Sequence, residues 1–214
     1  MIRPAQALLD FLYPARARCV GCGSMCGQRW EWLCEACAEA LDEERAGAFS
    51  LKDIDYAYAA YSYAAIATRM VRAYKFEGLR RMARTLALEM LEGVELAPKD
   101  ETAVLTPVPL HPAREKARGF NQAALLADAL AKESGLPHEA LLSRVVNTPQ
   151  QSRLSREQRS SNVKGAFQLS GDVKGRTILL IDDVCTTGTT ARECAKTLRA
   201  GGAARVILIC YARA

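Results

Sequence analysis

Two adjacent acids, Asp182 and Asp183, stand at the end of an apolar run and directly before a hydroxyl-rich turn, Thr186-Thr187-Gly188-Thr189-Thr190. The turn offers backbone N–H groups, four hydroxyls and the start of a helix, which together suit one phosphate group. Gly188 allows a tight turn and a close approach of backbone to that phosphate. The two carboxylates lie too near such an anion to be its ligands. They are suited to a pair of vicinal hydroxyls, or to a divalent cation held directly or through water. A terminal phosphate one step from a diol describes a ribose 5-phosphate. An ordinary strand with a threonine-rich helix cap would look similar, but two uncompensated acids after a buried strand cost stability for no structural return.

The acids and the turn need a rigid mount. Ile178 to Ile181 is a continuous aliphatic run, as a central parallel strand buried on both faces requires, and Ala191 to Ala200 reads as the helix that follows. Ligands of open parallel sheets sit beyond the carboxyl ends of the strands, where these residues fall. Upstream, Asp55 to Tyr63 carries four tyrosines and reads as a strand. Ile66, Met70, Val71 and Tyr74 fall at helical spacing, as do Met82, Leu86 and Met90. Gly78 and Gly93 are expected at helix ends. Thr102 to Pro109 reads as a second buried strand. A helix from an Asn121 cap runs through Ala131 to Gly135, and Arg205 to Tyr211 reads as the last strand. This alternation predicts an α/β fold with a mostly parallel, Rossmann-like sheet.

Five of the eight cysteines lie between residues 19 and 37, as Cys19-x2-Cys22-x3-Cys26 and Cys34-x2-Cys37. Two Cys-x2-Cys knuckles eleven residues apart have the spacing of a zinc ribbon, each turning two thiolates toward one tetrahedral ion. Both histidines lie far off, so Cys19, Cys22, Cys34 and Cys37 form the expected structural zinc site. An iron–sulfur cluster or reactive thiols are the competing readings. Cys26 fits as a spare thiol, an alternate ligand or a redox partner.

With 214 residues, half of them hydrophobic, the chain has room for one α/β domain and a small module. The acidic stretch Leu41 to Asp53 is a natural boundary, giving a zinc-binding module over 1–45 and the larger unit over 54–214. No apolar run approaches a membrane span, so no membrane insertion is expected. The start, MIRPAQALLDFLYPARARC, reads as amphipathic rather than as a signal peptide, which makes the cytoplasm the expected compartment. Neither a Gly-x4-Gly-Lys-Ser/Thr loop nor a Gly-x-Gly-x2-Gly fingerprint occurs, against an NTPase or a dinucleotide enzyme.

Three basic stretches remain. Arg69 to Arg84 includes Lys75, and for Arg80, Arg81 and Arg84 a solvated face is the simpler reading. Arg114, Lys116 and Arg118 follow the Pro-Val-Pro strand end, where several cations suit a pyrophosphate. Arg153, Arg156, Arg159 and Lys164 lie in a polar stretch that reads as a lid hinged at Gly165. A net charge of +5 permits nucleic acid binding without requiring it.

The run Ile178 to Thr190 resembles the phosphoribosyl-pyrophosphate (PRPP) motif of the type I phosphoribosyltransferases, with Cys185 in its variable slot. The segments Thr106 to Gln122 and Gln151 to Phe167, with Tyr63 to Gly78, resemble the signatures of the ComF competence family. A four-cysteine finger followed by a type I phosphoribosyltransferase domain is that family's layout and covers essentially the whole chain. The resemblance implies a phosphoribosyltransferase fold with a hood, placed here around Asp55 to Glu95, and PRPP bound with Mg2+. It makes Asp182 and Asp183 the catalytic pair on the ribose hydroxyls and Thr186, Thr187, Gly188, Thr189 and Thr190 the 5-phosphate loop. Arg114 and Arg118 would hold pyrophosphate, with Arg159 and Lys75 in the closing shell; His111 is divided between chemistry and a turn role. The implied activity is displacement of pyrophosphate from PRPP in a protein of natural transformation and DNA uptake. The alternative is a non-catalytic, PRPP-gated adaptor that contacts single-stranded DNA or competence-machinery proteins.

Overall fold

The computed structural model describes residues 18–25, 32–76, 80–146 and 164–214. In chain order these hold α1 (Glu35–Asp42), β1 (Arg45–Phe49), β2 (Tyr56–Ser62), α2 (Ala65–Phe76), α3 (Met82–Leu96), β3 (Val104–Pro107), α4 (Pro112–Arg118), α5 (Gln122–Ser134), β4 (Leu142–Arg144), β5 (Phe167–Leu169), β6 (Thr177–Cys185), α6 (Thr189–Ala200) and β7 (Arg205–Arg213). The main sheet has the order β1-β2-β7-β6-β3, and β4 pairs with β5 in a small second sheet. All neighbours in the main sheet are parallel except β1 and β2.

The period of two along β6 explains why its run is uninterrupted. Leu179 and Ile181 join Leu86, Met90, Leu126 and Leu130 on one face, under α3 and α5. Ile178 and Leu180 join Cys194, Ala195 and Leu198 on the other, under α6. Each such side chain contributes roughly 1.5–3 kcal/mol on full burial, and Leu179→Ala would cost about 2–5 kcal/mol through the cavity it leaves.

Several expectations change. Residues 45–49, within the expected boundary, are a strand that covers the outer edge of β2, with Arg45 opposite Tyr61 and Gly47 opposite Ala59. The stretch assigned to a hood is instead part of the sheet and the layer over it. The alanines of β2 leave room for a strand buried on both faces, and Ala57 to Tyr61 are all buried. Gly93 ends no helix. It lies inside α3, where a Cβ would fall 2.3 Å from the Tyr58 ring, so glycine permits that close approach. Gly78 lies outside the described residues.

Other local signals hold. The Asn121 side chain accepts from the Ala123 amide at 3.0 Å to cap α5, and Gly135 ends it at φ 73°. The N-terminal module shares the main core: Trp32, Leu33, Ala38 and Leu41 belong to the cluster that includes Met70 and Leu86. The Trp32 indole donates to the Thr85 hydroxyl at 3.1 Å. Among the described residues no helix is long and apolar enough to cross a membrane.

Candidate functional site

The acids sit on the strand rather than after it. β6 runs on to Cys185 because β7 runs beside it to Arg213, pairing Asp182 with Cys210 and Val184 with Ala212. Asp183 is 6% exposed, and its Oδ1 lies 2.9 Å from Lys75 Nζ, delivered by the last turn of α2. The half-buried Asp182 accepts from the Asp183 amide at 2.9 Å. Burial, and then the charge of Asp183, push the Asp182 carboxyl well above its ordinary range, against the pull of Lys75. Such a pair draws in positive charge, and an ammonium group already stands beside it.

Thr186 to Gly188 form the turn into α6. Gly188 takes φ 71°, and a Cβ there would fall 2.5 Å from Leu51, so conformation and close packing both call for glycine. The Thr187 and Thr189 hydroxyls bond each other at 2.8 Å. The first turn of α6 carries no acid, Gly188 at its N-cap has no side chain to offer, and the Thr187 hydroxyl accepts weakly from the Thr189 amide at 3.5 Å, so the helix start suits an anion.

The facing wall is cationic. His111 caps α4, its Nδ1 accepting from the Ala113 amide at 3.2 Å, as the turn role expects. α4 carries Arg114 and Arg118, and Arg118 donates to Gln122 Oε1 at 2.7 Å. Arg80 donates to the Gly119 carbonyl at 2.9 Å and stacks on Phe120, buttressing this loop. Arg84 pairs on the surface with Glu133 at 2.8 Å. Arg144, at the end of β4, is 6% exposed with its guanidinium over the Phe167 ring. Burial and the nearby Arg114 both work against the charge on Arg144; burial and Arg118 do the same to Arg114.

These elements enclose a cleft of about 480 Å³. The structure brings together Lys75, Arg114, Arg118, Asp182, Asp183, Thr186 and Thr190 as its lining. Thr187, Gly188 and Thr189 complete the loop behind them. Arg159 lies outside the described residues, as do Arg153 and Arg156; Lys164 and Gly165 are exposed. The sequence reading missed Tyr63, Asn121, Gln122 and Arg144, which also line the cleft. Arg144 had a signal: a cation inside the apolar run Leu141 to Val146 is an anomaly that function explains better than packing.

The thiols of Cys19, Cys22, Cys34 and Cys37 all lie within 4.8 Å of one another. The first two sit on a turn, while Cys34 stands at the N-cap position of α1 and Cys37 lies in its first turn. A Cβ on Gly21 would fall 2.7 Å from Cys37 Sγ, so glycine lets the turn close over the cluster. The Ser24 hydroxyl and amide draw the Cys22 pKa down to about 6, making it a thiolate at neutral pH. Four converging thiols with a ready thiolate fit a structural zinc. Cys26 lies outside the described residues.

The phosphoribosyl transferase domain family matches residues 118–214. Competence protein F of Haemophilus influenzae is 30% identical over 201 residues, covering 90% of this chain and 84% of that protein. DNA utilization protein YhgH of Salmonella typhimurium is 37% identical over 150 residues, or 67% of this chain. That match spans 66% of the Salmonella protein, just under two thirds of its length. Competence protein ComFC of Bacillus subtilis is 31% identical over 144 residues, covering 67% of this chain and 58% of that one. A solved allosteric regulatory enzyme of purine biosynthesis superimposes loosely, with TM-score 0.40 and 24% identity over 60% of this chain and 25% of its own. With a four-thiol cluster ahead of a phosphoribosyltransferase domain, and a relative matched along most of its length, the chain belongs to the ComF competence family.

Proposed function

We propose that the protein binds PRPP with Mg2+ and displaces its pyrophosphate in favour of an acceptor still to be identified. The observation that carries this is one cleft holding an acid pair, a helix start with no acid in its first turn and its threonine loop, and three crowded arginines. Each group matches a part of PRPP. The loop from Thr186 to Thr190 takes the 5-phosphate. Asp182 and Asp183 take the ribose hydroxyls. Arg114, Arg118 and Arg144 take the pyrophosphate, whose charge relieves their mutual repulsion. Gln122 adds a buried side-chain N–H group that has no hydrogen-bond partner.

The acid pair's draw on Lys75 supports a cation at the same place, and Mg2+ held there would offset the charge of the leaving group. The bond from ribose C1 to pyrophosphate breaks with its electron pair leaving on oxygen, and the acceptor's lone pair forms the new bond as its proton departs. The transition state carries positive charge on the ribose, so the protein's part is to position the reactants and stabilise the departing anion. Lys75 must leave Asp183 for the diol to bind, and it then joins the cations around pyrophosphate. Arg159 is assigned to the closing shell.

In this reading residues 1–45 form a zinc-bearing module and residues 54–214 the catalytic unit, in a cytoplasmic protein. The second reading is a PRPP-gated adaptor that contacts single-stranded DNA or competence-machinery proteins. It is favoured by a zinc module that adds surface without chemistry, and by relatives named for competence and DNA utilization.

The test is PRPP binding with Mg2+, followed by pyrophosphate release across nucleobases, amines and single-stranded DNA. The double variant Asp182→Asn, Asp183→Asn should bind PRPP at least tenfold more weakly; unchanged affinity would overturn the site. A variant that binds PRPP without turnover and still supports competence would decide for the adaptor.

A further inference from the structure

The threonine loop is supported from outside the cleft. Gly188 stands at the N-cap of α6 with φ 71°, yet glycine takes positive and negative φ about equally well. Its own residue type does not fix that conformation. Leu51, in the loop joining β1 to β2, fills the space a side chain at position 188 would need: a Cβ there would meet Leu51 Cδ1 at 2.5 Å and Cδ2 at 2.9 Å. The same loop reaches α6 a second time, where Arg192 Nε donates to Asp53 Oδ2 at 3.1 Å. The Arg192 amide donates in turn to the Gly188 carbonyl at 2.9 Å. Both contacts lead to one residue.

The loop is built to bear on α6. The Ile54 amide donates to the Leu51 carbonyl at 3.2 Å, closing a turn with Asp53 at its third position. Asp53 has φ 68°, and among the described residues no other non-glycine residue has a positive value. A turn with positive φ at its third position usually places glycine or asparagine there, and an aspartate so placed is held by its surroundings at a cost. Aspartate supplies the carboxylate that Arg192 meets. The base of the turn is fixed as well. The Asp55 amide donates to the Val206 carbonyl at 2.9 Å, the Val206 amide donates to Asp55 Oδ2 at 2.7 Å, and Arg199 pairs with the same carboxylate. Packing alone would account for Leu51 against the apolar layer under α6. It would not account for a strained aspartate beside it, or for two contacts converging on the residue that shapes the loop.

We propose that Leu51 and Asp53 are positioning residues for the phosphate loop, holding Gly188 and the first turn of α6 in the conformation that receives a 5-phosphate. Leu51 acts by contact on Gly188, and Asp53 acts through Arg192. Neither is among the residues that line the cleft. The inference rests on the reading of Thr186 to Thr190 as a phosphate site. Its consequence is a selective defect. Loss of the brace should weaken a ligand that carries a 5-phosphate and spare pyrophosphate, which belongs to Arg114, Arg118 and Arg144 on the facing wall.

The test titrates the full-length, zinc-loaded protein with ribose 5-phosphate and with pyrophosphate, each with Mg2+, followed by calorimetry. Leu51→Ala is expected to weaken ribose 5-phosphate at least fivefold and to leave pyrophosphate within twofold; Leu51→Val serves if that variant fails to fold. Leu51→Met, which keeps the volume, should hold ribose 5-phosphate within twofold of the wild type. Asp53→Gly, which suits the turn but lacks the carboxylate, should weaken ribose 5-phosphate at least threefold. Unchanged ribose 5-phosphate affinity in Leu51→Ala or Asp53→Gly, an equal loss for both ligands, or no recovery in Leu51→Met would each overturn the proposal. A wild-type protein that does not bind ribose 5-phosphate would overturn the phosphate reading itself, and the inference with it.

Discussion

At the cleft, Asp182 and Asp183 crowd each other on one strand while Arg114, Arg118 and Arg144 crowd the opposite wall. At the N-terminal module, four thiols converge just as closely. Both regions hold like groups together, yet they resolve the crowding differently. The thiols are placed for one structural ion, which would take up their charge and tie the turn to α1. The cleft has no such tie, and the crowding shows as a raised Asp182 carboxyl pKa and as an environment that works against the charge on Arg144. Substitution should therefore have opposite effects on stability: removing a thiol should weaken the fold, and neutralising an acid should strengthen it.

The largest effect is expected at the thiols. Purified protein should carry about one zinc per chain. Cys37→Ser, or strong chelation, should lower Tm by more than about 10 °C, since structural zinc contributes on the order of 10 kcal/mol or more to small modules. It should also shift tryptophan emission to the red as Trp32 is exposed. Iron in the anaerobically purified protein, or an unchanged Tm, would remove the structural tie from the comparison.

Next is Arg144. Arg144→Ala should weaken pyrophosphate binding about tenfold, roughly 1.4 kcal/mol, with Tm nearly constant because a buried charge leaves with the side chain. Unchanged pyrophosphate affinity with a falling Tm would make Arg144 a packing residue over Phe167.

The smallest effect is at Asp182. Its carboxyl pKa is higher folded than unfolded, so between the two values the folded protein keeps a proton that the unfolded chain has lost. Stability of the ligand-free protein should then fall as pH rises from about 3.8 toward the raised value. Asp182→Asn should flatten that decline and raise Tm at neutral pH by a few degrees, about 1 kcal/mol in a domain of this size. A melting profile with the same slope in both proteins would contradict the stored repulsion.

The parts of this architecture that were readable in advance are those fixed by neighbours in the chain. Ile178 to Thr190 places strand, acids and turn in one covalent run, and Asn121 caps its own helix two residues on. What escaped depends on distant partners. β6 carries its acids within the strand only because β7, nearly thirty residues later, extends to Arg213 beside it. The hood placement failed because the burial of Ala57 to Tyr61 is decided by pairing with β7, which no local pattern reveals. Arg144 reaches the cleft through the pairing of β4 with β5 across an intervening segment.

α2 is fastened along its whole length. Glu44 accepts from the Ile66 and Ala67 amides at 2.8 Å each, Arg69 donates to the Gly21 carbonyl inside the cysteine turn, and Lys75 closes on Asp183. A helix of twelve residues is a stiff rod of roughly 18 Å. It works as a strut with the cysteine turn near one end and the acid pair at the other. A slide of about 1 Å along its axis is enough to take Lys75 out of hydrogen-bond range of Asp183. The cleft's own cation therefore rides on the same rod that Arg69 ties to the cysteine turn.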